Sequence, residues 1–195
     1  MNIVCPNEEL PPISIDTFLK NSNKYYAQVF NEENNLYVQS CIMEKTQLDE
    51  NDILLRFKNS KNNRGCKAFY KMINQIETDI CNIYKESELN TPNHSYIHIK
   101  KHIFRTSVLP SKVLGEDPMM VAKFPITEEV EIYDKKGKHM DKEKLGKCKE
   151  VVVILKCSNV EVCDNNLRLN WEVQQIAGFR KKKKLDKTFK IRKDN

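Results

Sequence analysis

Basic and aromatic side chains are interleaved in the first third of the chain, within segments whose composition is typical of β-strands. Lysine and arginine neutralise phosphates, while flat rings stack on unpaired bases, so this combination suits a single-stranded nucleic acid. One face of each strand must belong to the core. For every ring, the alternative to a nucleic-acid contact is therefore a buried position in the core. The candidates for nucleic-acid contacts are Lys24, Tyr26, Phe30, Tyr37, Arg56, Lys58, Lys61, Arg64 and, in the last strand-like segment, Arg168.

The most basic run of the sequence supplies further candidates, Arg180, Lys181, Lys182, Lys183 and Lys184. Residues 179–195 hold nine lysine and arginine residues against two aspartates, a net charge of +7. Because the whole chain carries +6, residues 1–178 carry about −1, and attraction to polyanions depends on the tail or on an uneven charge distribution. Three roles stay open for the tail: non-specific phosphate contacts, a nuclear address and a solubilising extension.

Three histidines, His94, His98 and His102, follow one another at four-residue intervals. On a helix they would form one stripe that could ligate zinc. Pro92 and the β-branched residues of this segment disfavour a helix, and no H-E-x-x-H motif accompanies them. We therefore predict no metal site and keep a zinc enzyme as an alternative.

The sequence lacks the common motifs of catalysis. It has no G-x-S-x-G elbow and no glycine-rich phosphate loop, and it holds only five glycines. Its acidic residues between positions 128 and 143 fall at alternating surface positions and in turns rather than in a paired constellation. These features predict a protein that is not an enzyme and that needs no cofactor.

Hydrophobic periodicity predicts a mainly β chain with one long helix, an α+β fold. Apolar residues at three- and four-residue steps predict the helix over 66–88, whereas 96–109 fits neither period. Trp171, the only tryptophan, shares an alternating face with leucines and is predicted to lie in the core. Such a set of strands suits an elaborated antiparallel barrel. The predicted strands are 24–30 and 36–43, joined as a hairpin, 52–58, 119–124, 128–133, a buried central strand at 151–155, and 167–173.

Length and composition predict one domain with a tail at each end, because two full domains would be cramped in 195 residues. We assign 1–12 to a loose N-terminal arm, 13–178 to the folded domain and 179–195 to a basic disordered tail. Seven scattered cysteines without a C-x-x-C pair indicate reduced thiols rather than disulfides. With no secretion signal and no apolar run near the ~20 residues of a membrane span, we expect an intracellular protein without membrane contact.

Three segments in the C-terminal half carry a resemblance to a known family. They are Val130–Gly137 with its YD-x-x-G turn, the apolar Val151–Cys157, and Leu169–Gln175, written L-x-W-x-V-x-Q. These segments resemble the single-stranded-DNA-binding proteins of nucleocytoplasmic large DNA viruses, and before Ala122 only the order of elements agrees. The resemblance implies an OB-like β-barrel that coats unwound DNA. Analogous phage helix-destabilising proteins carry an acidic tail that recruits partners; the tail here is basic, so that role is not carried over.

These features predict a non-catalytic protein that coats and protects unwound DNA during viral DNA replication or repair. Its partner would be single-stranded DNA, with RNA left open, and self-association along the strand and contacts with replication proteins are further expectations. The place of action would be the host nucleus or a cytoplasmic viral replication site. The alternative is a protein-interaction or structural module whose basic tail acts as a nuclear address or as a non-specific nucleic-acid clamp.

Overall fold

The computed structural model describes residues 3–32, 34–49, 51–90, 93–111, 115–125 and 130–179. The helices are α1 (Arg64–Lys85), α2 (Tyr96–His98) and α3 (Lys142–Gly146), and a π-helical segment, Ile99–Ile103, continues α2. The strands are β1 (Ile3–Val4), β2 (Ile13–Ile15), β3 (Leu19–Asn21), β4 (Lys24–Ala27), β5 (Val29–Asn31), β6 (Asn34–Asn35), β7 (Tyr37–Gln39), β8 (Met43–Leu48), β9 (Asp52–Arg56), β10 (Phe104–Arg105), β11 (Val108–Leu109), β12 (Met119–Lys123), β13 (Glu131–Asp134), β14 (Glu150–Cys163) and β15 (Asn166–Phe179).

The hairpin of β14 and β15 is the centre of the fold, and each of its strands has 14 residues. Asp164 and Asn165 form its turn with φ angles of 46° and 60°, a left-handed conformation that asparagine and aspartate tolerate. In β15 the alternating Leu167, Leu169, Trp171 and Val173 are all buried, as their periodicity predicts. The indole Nε1 of Trp171 donates to Ser107 Oγ at 2.9 Å, so this ring is a core residue with its polar atom satisfied.

Five strands surround the core in the order β8, β9, β12, β15 and β14. The pairs β14–β8, β8–β9, β9–β12 and β14–β15 are antiparallel, whereas β12 lies parallel to β15 and meets it at one residue pair, Lys123 and Glu172. The prediction of a mainly β, OB-like α+β fold is confirmed. Over the described residues, however, the sheet is mixed, and one residue pair alone joins β12 to β15, so the five strands do not form a regular closed barrel. Strands β10, β12 and β13 reach β15 through long connections instead of tight turns, and such connections permit parallel pairing.

Helix α1 packs its buried stripe into the same hydrophobic core as the strands, and it agrees with the predicted helix except at its ends. Asn63 caps its N-terminus by accepting from Cys66 N at 3.2 Å. Its buried stripe also contains Glu77, which is 2% exposed and accepts from Ser107 N at 2.6 Å and from Thr106 Oγ1 at 3.1 Å. Because a buried carboxylate needs such partners, Glu77 fixes α1 to the segment before β11.

The predicted hairpin between 24–30 and 36–43 forms only next to its turn, where Phe30 and Asn31 pair antiparallel with Asn35 and Asn34. Strands β4 and β7 lie one after the other along the same edge of β14, at Val160–Cys163 and Ile154–Lys156. Residues 29–31 instead leave that sheet and pair with β2 and β6 in a second, three-stranded sheet. Apolar periodicity is the same in both arrangements, so it could not choose between a local hairpin and separate pairing with a distant strand.

The structure describes most of the predicted N-terminal arm but only the first residue of the predicted C-terminal tail. Within the predicted arm 1–12, Ile3 and Val4 pair in parallel with Tyr37 and Val38. The tail candidates Arg180, Lys181, Lys182, Lys183 and Lys184 lie outside the described residues. Among the helices that the structure describes, none has the length and apolar content to cross a membrane.

Candidate nucleic-acid interface

The outward-facing side chains of β9, β12 and β15, with those of Arg105 and Leu109, form one surface that we call the outer face. In β12 the alternation is clear, because Met120 and Ala122 are buried while Val121 and Lys123 are exposed. Cross-strand pairing places Leu54 beside Val121, and Lys123 between Asp52 and Glu172. Since directly paired residues point to the same side of a sheet, three strands contribute to this surface.

The centre of the outer face is apolar and accessible. Leu109 is 47% exposed and Val121 is 45% exposed, and Leu109 pairs with Met119, two residues before Val121. Both side chains line a cleft of about 240 Å³ together with Asn170 and Trp171. Exposed apolar side chains in a cleft of a β-sheet can contact the flat faces of unpaired bases.

Basic side chains surround this apolar centre. Arg105 and Arg168 lie side by side in the parallel pairing of β10 and β15, and Arg105 Nε donates to Asn166 Oδ1 at 2.7 Å. A second cleft, which includes Lys24, shares both arginines with the first. The two clefts together hold Lys24, Arg105, Lys123 and Arg168 against Asp52, Glu161 and Asp164, so their net charge is only +1.

Much of this neutralisation comes from Glu161, which is 4% exposed. Arg168 Nη2 donates to both of its carboxylate oxygens at 2.9 Å, and Lys24 Nζ lies 3.0 Å from one of them. Burial by itself would raise the pKa of the Glu161 carboxyl, but the hydrogen bonds from Arg168, Lys24 and Asn170 together hold that pKa below its usual value. Glu161 therefore stays ionised and orients Lys24 and Arg168 on the surface.

Replacing Glu161 with glutamine should lower the free energy of unfolding near neutral pH by about 1–3 kcal/mol, because charge-assisted bonds to a buried carboxylate are lost. A lowered pKa in the folded state stabilises the protein above the unfolded-state pKa, and this stabilisation disappears as the pH falls through the folded-state value. The difference in the free energy of unfolding between the parent and Glu161→Gln should thus be largest near pH 7 and should shrink below about pH 4. Urea denaturation of both proteins at pH 7 and below about pH 4 measures this difference.

Glu150→Gln is the matched control, since Glu150 forms a more accessible ion pair with Lys58 at 2.7 Å. Accessible ion pairs contribute about 0–1 kcal/mol, so Glu150→Gln should change the free energy of unfolding less than Glu161→Gln does. A parent-to-variant gap at Glu161 that stayed constant down to pH 3 would contradict the role assigned to its carboxylate.

The structure brings three of the sequence-predicted site residues together at Glu161. Tyr26 and Arg168 both pair with Glu161 across neighbouring strands, and Lys24 bonds to its side chain. Tyr37 is half-buried and pairs with Lys156, farther along β14. Phe30 is half-buried in β5 of the second sheet, so it does not belong to the outer face.

The other predicted basic residues lie at or beyond the end of β9. Arg56 is on the outer face, and its Nη1 lies 4.0 Å from Glu44. Lys58 is ion-paired with Glu150, while Lys61 and Arg64 are exposed near the N-terminus of α1. Asp117 holds the loop between them by accepting from Asn59 N at 2.6 Å and Ser60 N at 2.8 Å.

The part of the histidine segment that holds His98 and His102 is helical, in contrast to the expectation from Pro92 and the β-branched residues, whereas His94 precedes the helix. Ser95 caps it by accepting from His98 N at 3.4 Å, and the rings of His94 and His98 stack with centroids 4.1 Å apart. Burial, together with repulsion from His94 and His102, lowers the pKa of His98. In the part of the chain that the structure describes, no group of three or more histidine, cysteine or acidic residues could hold a metal ion.

Among the outer-face residues that were not predicted from the sequence are Arg105, Leu109, Val121 and Lys123. The alternation in Met119–Lys123 was a usable signal, because it places Val121 and Lys123 on one face and Met120 and Ala122 on the other. No comparable signal exists for Arg105 and Leu109, since their short strands follow a π-helical segment and a bend.

The sequence matches no protein-family model and no curated protein. Among solved structures, the chain is similar to the single-stranded DNA-binding protein from bacteriophage Enc34, with a TM-score of 0.50, 8% identity, and coverage of 90% of this chain and 95% of that one. This chain shares its fold. It is also similar to gp2.5, a single-stranded DNA-binding protein encoded by bacteriophage T7, with a TM-score of 0.48, 9% identity, and coverage of 74% of this chain and 86% of that one.

Proposed function

We propose that this protein is a non-catalytic single-stranded-DNA-binding protein that holds unpaired nucleotides on its outer face. The observation that carries the proposal is the exposed pair Leu109 and Val121 with Arg105, Lys123 and Arg168 around it. In OB folds, oligonucleotides bind on the face of the second and third barrel strands, to which β9 and β12 correspond here in strand order. The fold shared with the Enc34 protein, which is named for single-stranded DNA binding, supports the same ligand.

The outer face would make two kinds of contact with a single strand, each through a different set of residues. Arg105, Lys123 and Arg168 would bind backbone phosphates, and Leu109 and Val121 would contact base faces. A duplex hides its base faces in the stack, so only unpaired nucleotides can use both kinds of contact. Among the predicted rings, Tyr26 is the one that pairs with Glu161, the residue that binds Lys24 and Arg168.

The wider role that we propose is to coat and protect unwound DNA during viral DNA replication or repair. The resemblance of residues 130–175 to proteins of nucleocytoplasmic large DNA viruses supports a viral setting, in the host nucleus or at a cytoplasmic replication site. Self-association along the strand, contacts with replication proteins and a second affinity for RNA belong to the same proposal. The basic tail at 179–195 would add phosphate contacts without sequence preference.

Fluorescence anisotropy with a labelled oligothymidine and a duplex of equal length tests the proposal, using the full chain and a variant ending at Phe179. We expect both proteins to prefer the single strand, and the shortened one to bind more weakly with a shallower salt dependence, because seven net positive charges are lost. Equal affinity for both ligands in the full chain, or loss of all binding on truncation, would refute it. The second result would favour the alternative in which the tail alone is a nucleic-acid clamp.

A further inference from the structure

A third cleft, of about 790 Å³, lies between α1 and the segment that contains β10 and β11. Its volume lies within the range of small-molecule sites in proteins. The side chains that matter here come from both walls: Lys67, Tyr70 and Asn74 from α1, and Phe104, Thr106 and Val108 from the opposite segment. Lys67, Tyr70 and Asn74 follow three- and four-residue steps, so they point from the same side of α1.

Tyr70 is suited to stacking because its ring is both accessible and fixed. It is 46% exposed, and within the described ranges it is the only aromatic residue among the exposed large apolar side chains. The buried ring of Phe57 meets it in a T-shaped contact at 6.1 Å, and Phe57 in turn stacks on Phe69 at 5.6 Å. A ring that contacts a buried ring, itself fixed by stacking on another, loses little conformational freedom when a base stacks on it.

The charges in this cleft favour a phosphate at its α1 side. Lys61 and Lys67 line the cleft, and neither has an ion-pair partner among the residues that the structure describes. Lys100 differs, because its Nζ lies 3.6 Å from the buried Glu77 and is thereby neutralised. Glu116 also lines the cleft, outside α1, and accepts from Ser111 Oγ at 3.0 Å.

The third cleft adjoins the outer face at Thr106. Thr106 lines both the third cleft and the cleft around Leu109 and Val121, and it is itself exposed. Its hydroxyl hydrogen-bonds to Glu77, so α1 holds this crossing point in place. An extended strand that crosses over the exposed Thr106 would therefore reach both clefts.

We infer that the third cleft is a second nucleotide-binding subsite, in which a base of the same DNA strand stacks on Tyr70 while its phosphates contact Lys61 and Lys67. This inference rests on the proposed function and names where the strand continues after it leaves the outer face at Thr106. Within the third cleft, the bases of the strand would face α1. Oligonucleotides too short to span Thr106 would use the outer face alone.

Tyr70→Ala should weaken binding of an oligothymidine of about 16 nucleotides by about 5- to 100-fold, the effect of losing one stacked base, and should leave a short oligonucleotide of about 4 unaffected. Tyr70→Phe is the matched control, because it keeps the ring and the contact with Phe57, and it should bind like the parent. Lys67→Ala should reduce the salt slope by about 0.7 for the long ligand only. Thermal unfolding by circular dichroism checks that each variant is folded.

Photo-crosslinking with a long oligonucleotide containing 5-iodouracil gives a second readout that does not depend on affinity. Mass spectrometry should find a crosslink at Tyr70 in the parent with the long ligand and none there with the short one. If the parent binds both ligands and Tyr70→Ala is indistinguishable from it at both lengths, the subsite is refuted while the outer face stands. If the parent binds no single strand at all, the proposed function fails instead.

Discussion

A variant with Leu109→Asp and Val121→Asp should lose single-stranded-DNA binding by at least about 100-fold while remaining folded. Both side chains are nearly half exposed, so carboxylates there stay in water and disturb little of the core. The same carboxylates would stand between Arg105, Lys123 and Arg168, where they remove apolar contact with the bases and repel the phosphates. Anisotropy titration at low salt measures the loss, and circular dichroism establishes that the fold is kept.

The matched control replaces two apolar residues elsewhere that are somewhat more exposed, Ile42→Asp and Ile97→Asp, at 50% and 63%. The control adds the same two negative charges to the chain, and any general electrostatic effect will appear in it equally. We expect it to bind single strands within a few-fold of the parent, by the general charge effect alone. Equal losses in the two double variants would mean that Leu109 and Val121 are not part of the interface.

Removing the basic rim with Arg105→Ala, Lys123→Ala and Arg168→Ala should reduce the slope of log affinity against log salt by about 2, since each phosphate contact on a single strand contributes about 0.7. The accompanying loss of affinity at low salt should be about 100-fold or more. Arg168→Ala still leaves Lys24 at 3.0 Å from Glu161, so the buried carboxylate keeps one cationic partner. The slope is measured by titration over a series of salt concentrations.

A triple variant with Lys135→Ala, Lys136→Ala and Lys138→Ala removes the same charge from an exposed turn beside β13. Asp134 Oδ1 accepts there from the backbone N–H groups of residues 136 and 138, and these bonds survive the substitutions. The control should keep the salt slope of the parent. A reduction of equal size in both triple variants would show that only total charge matters and that the rim makes no specific phosphate contacts.

The sequence by itself determined the elements whose periodicity is local. The alternation in Leu167–Val173 was sufficient to bury Trp171, and the helical spacing from Phe69 to Tyr84 was sufficient to place α1 on the core. Both follow from the burial of apolar surface along one strand face or one helix stripe, which neighbouring residues decide among themselves. The OB-like α+β class followed from these elements and from the resemblance in the C-terminal half.

Only the tertiary structure decided which charged side chains act together. Arg105 and Arg168 are far apart in sequence and become neighbours through parallel pairing of β10 and β15. Lys24 and Arg168 were both predicted as site residues, yet their common partner Glu161 was not foreseen, because it became buried only when β4, β14 and β15 paired. Strand pairing and charge neutralisation depend on contacts between distant segments, and no local pattern in a single sequence records those contacts.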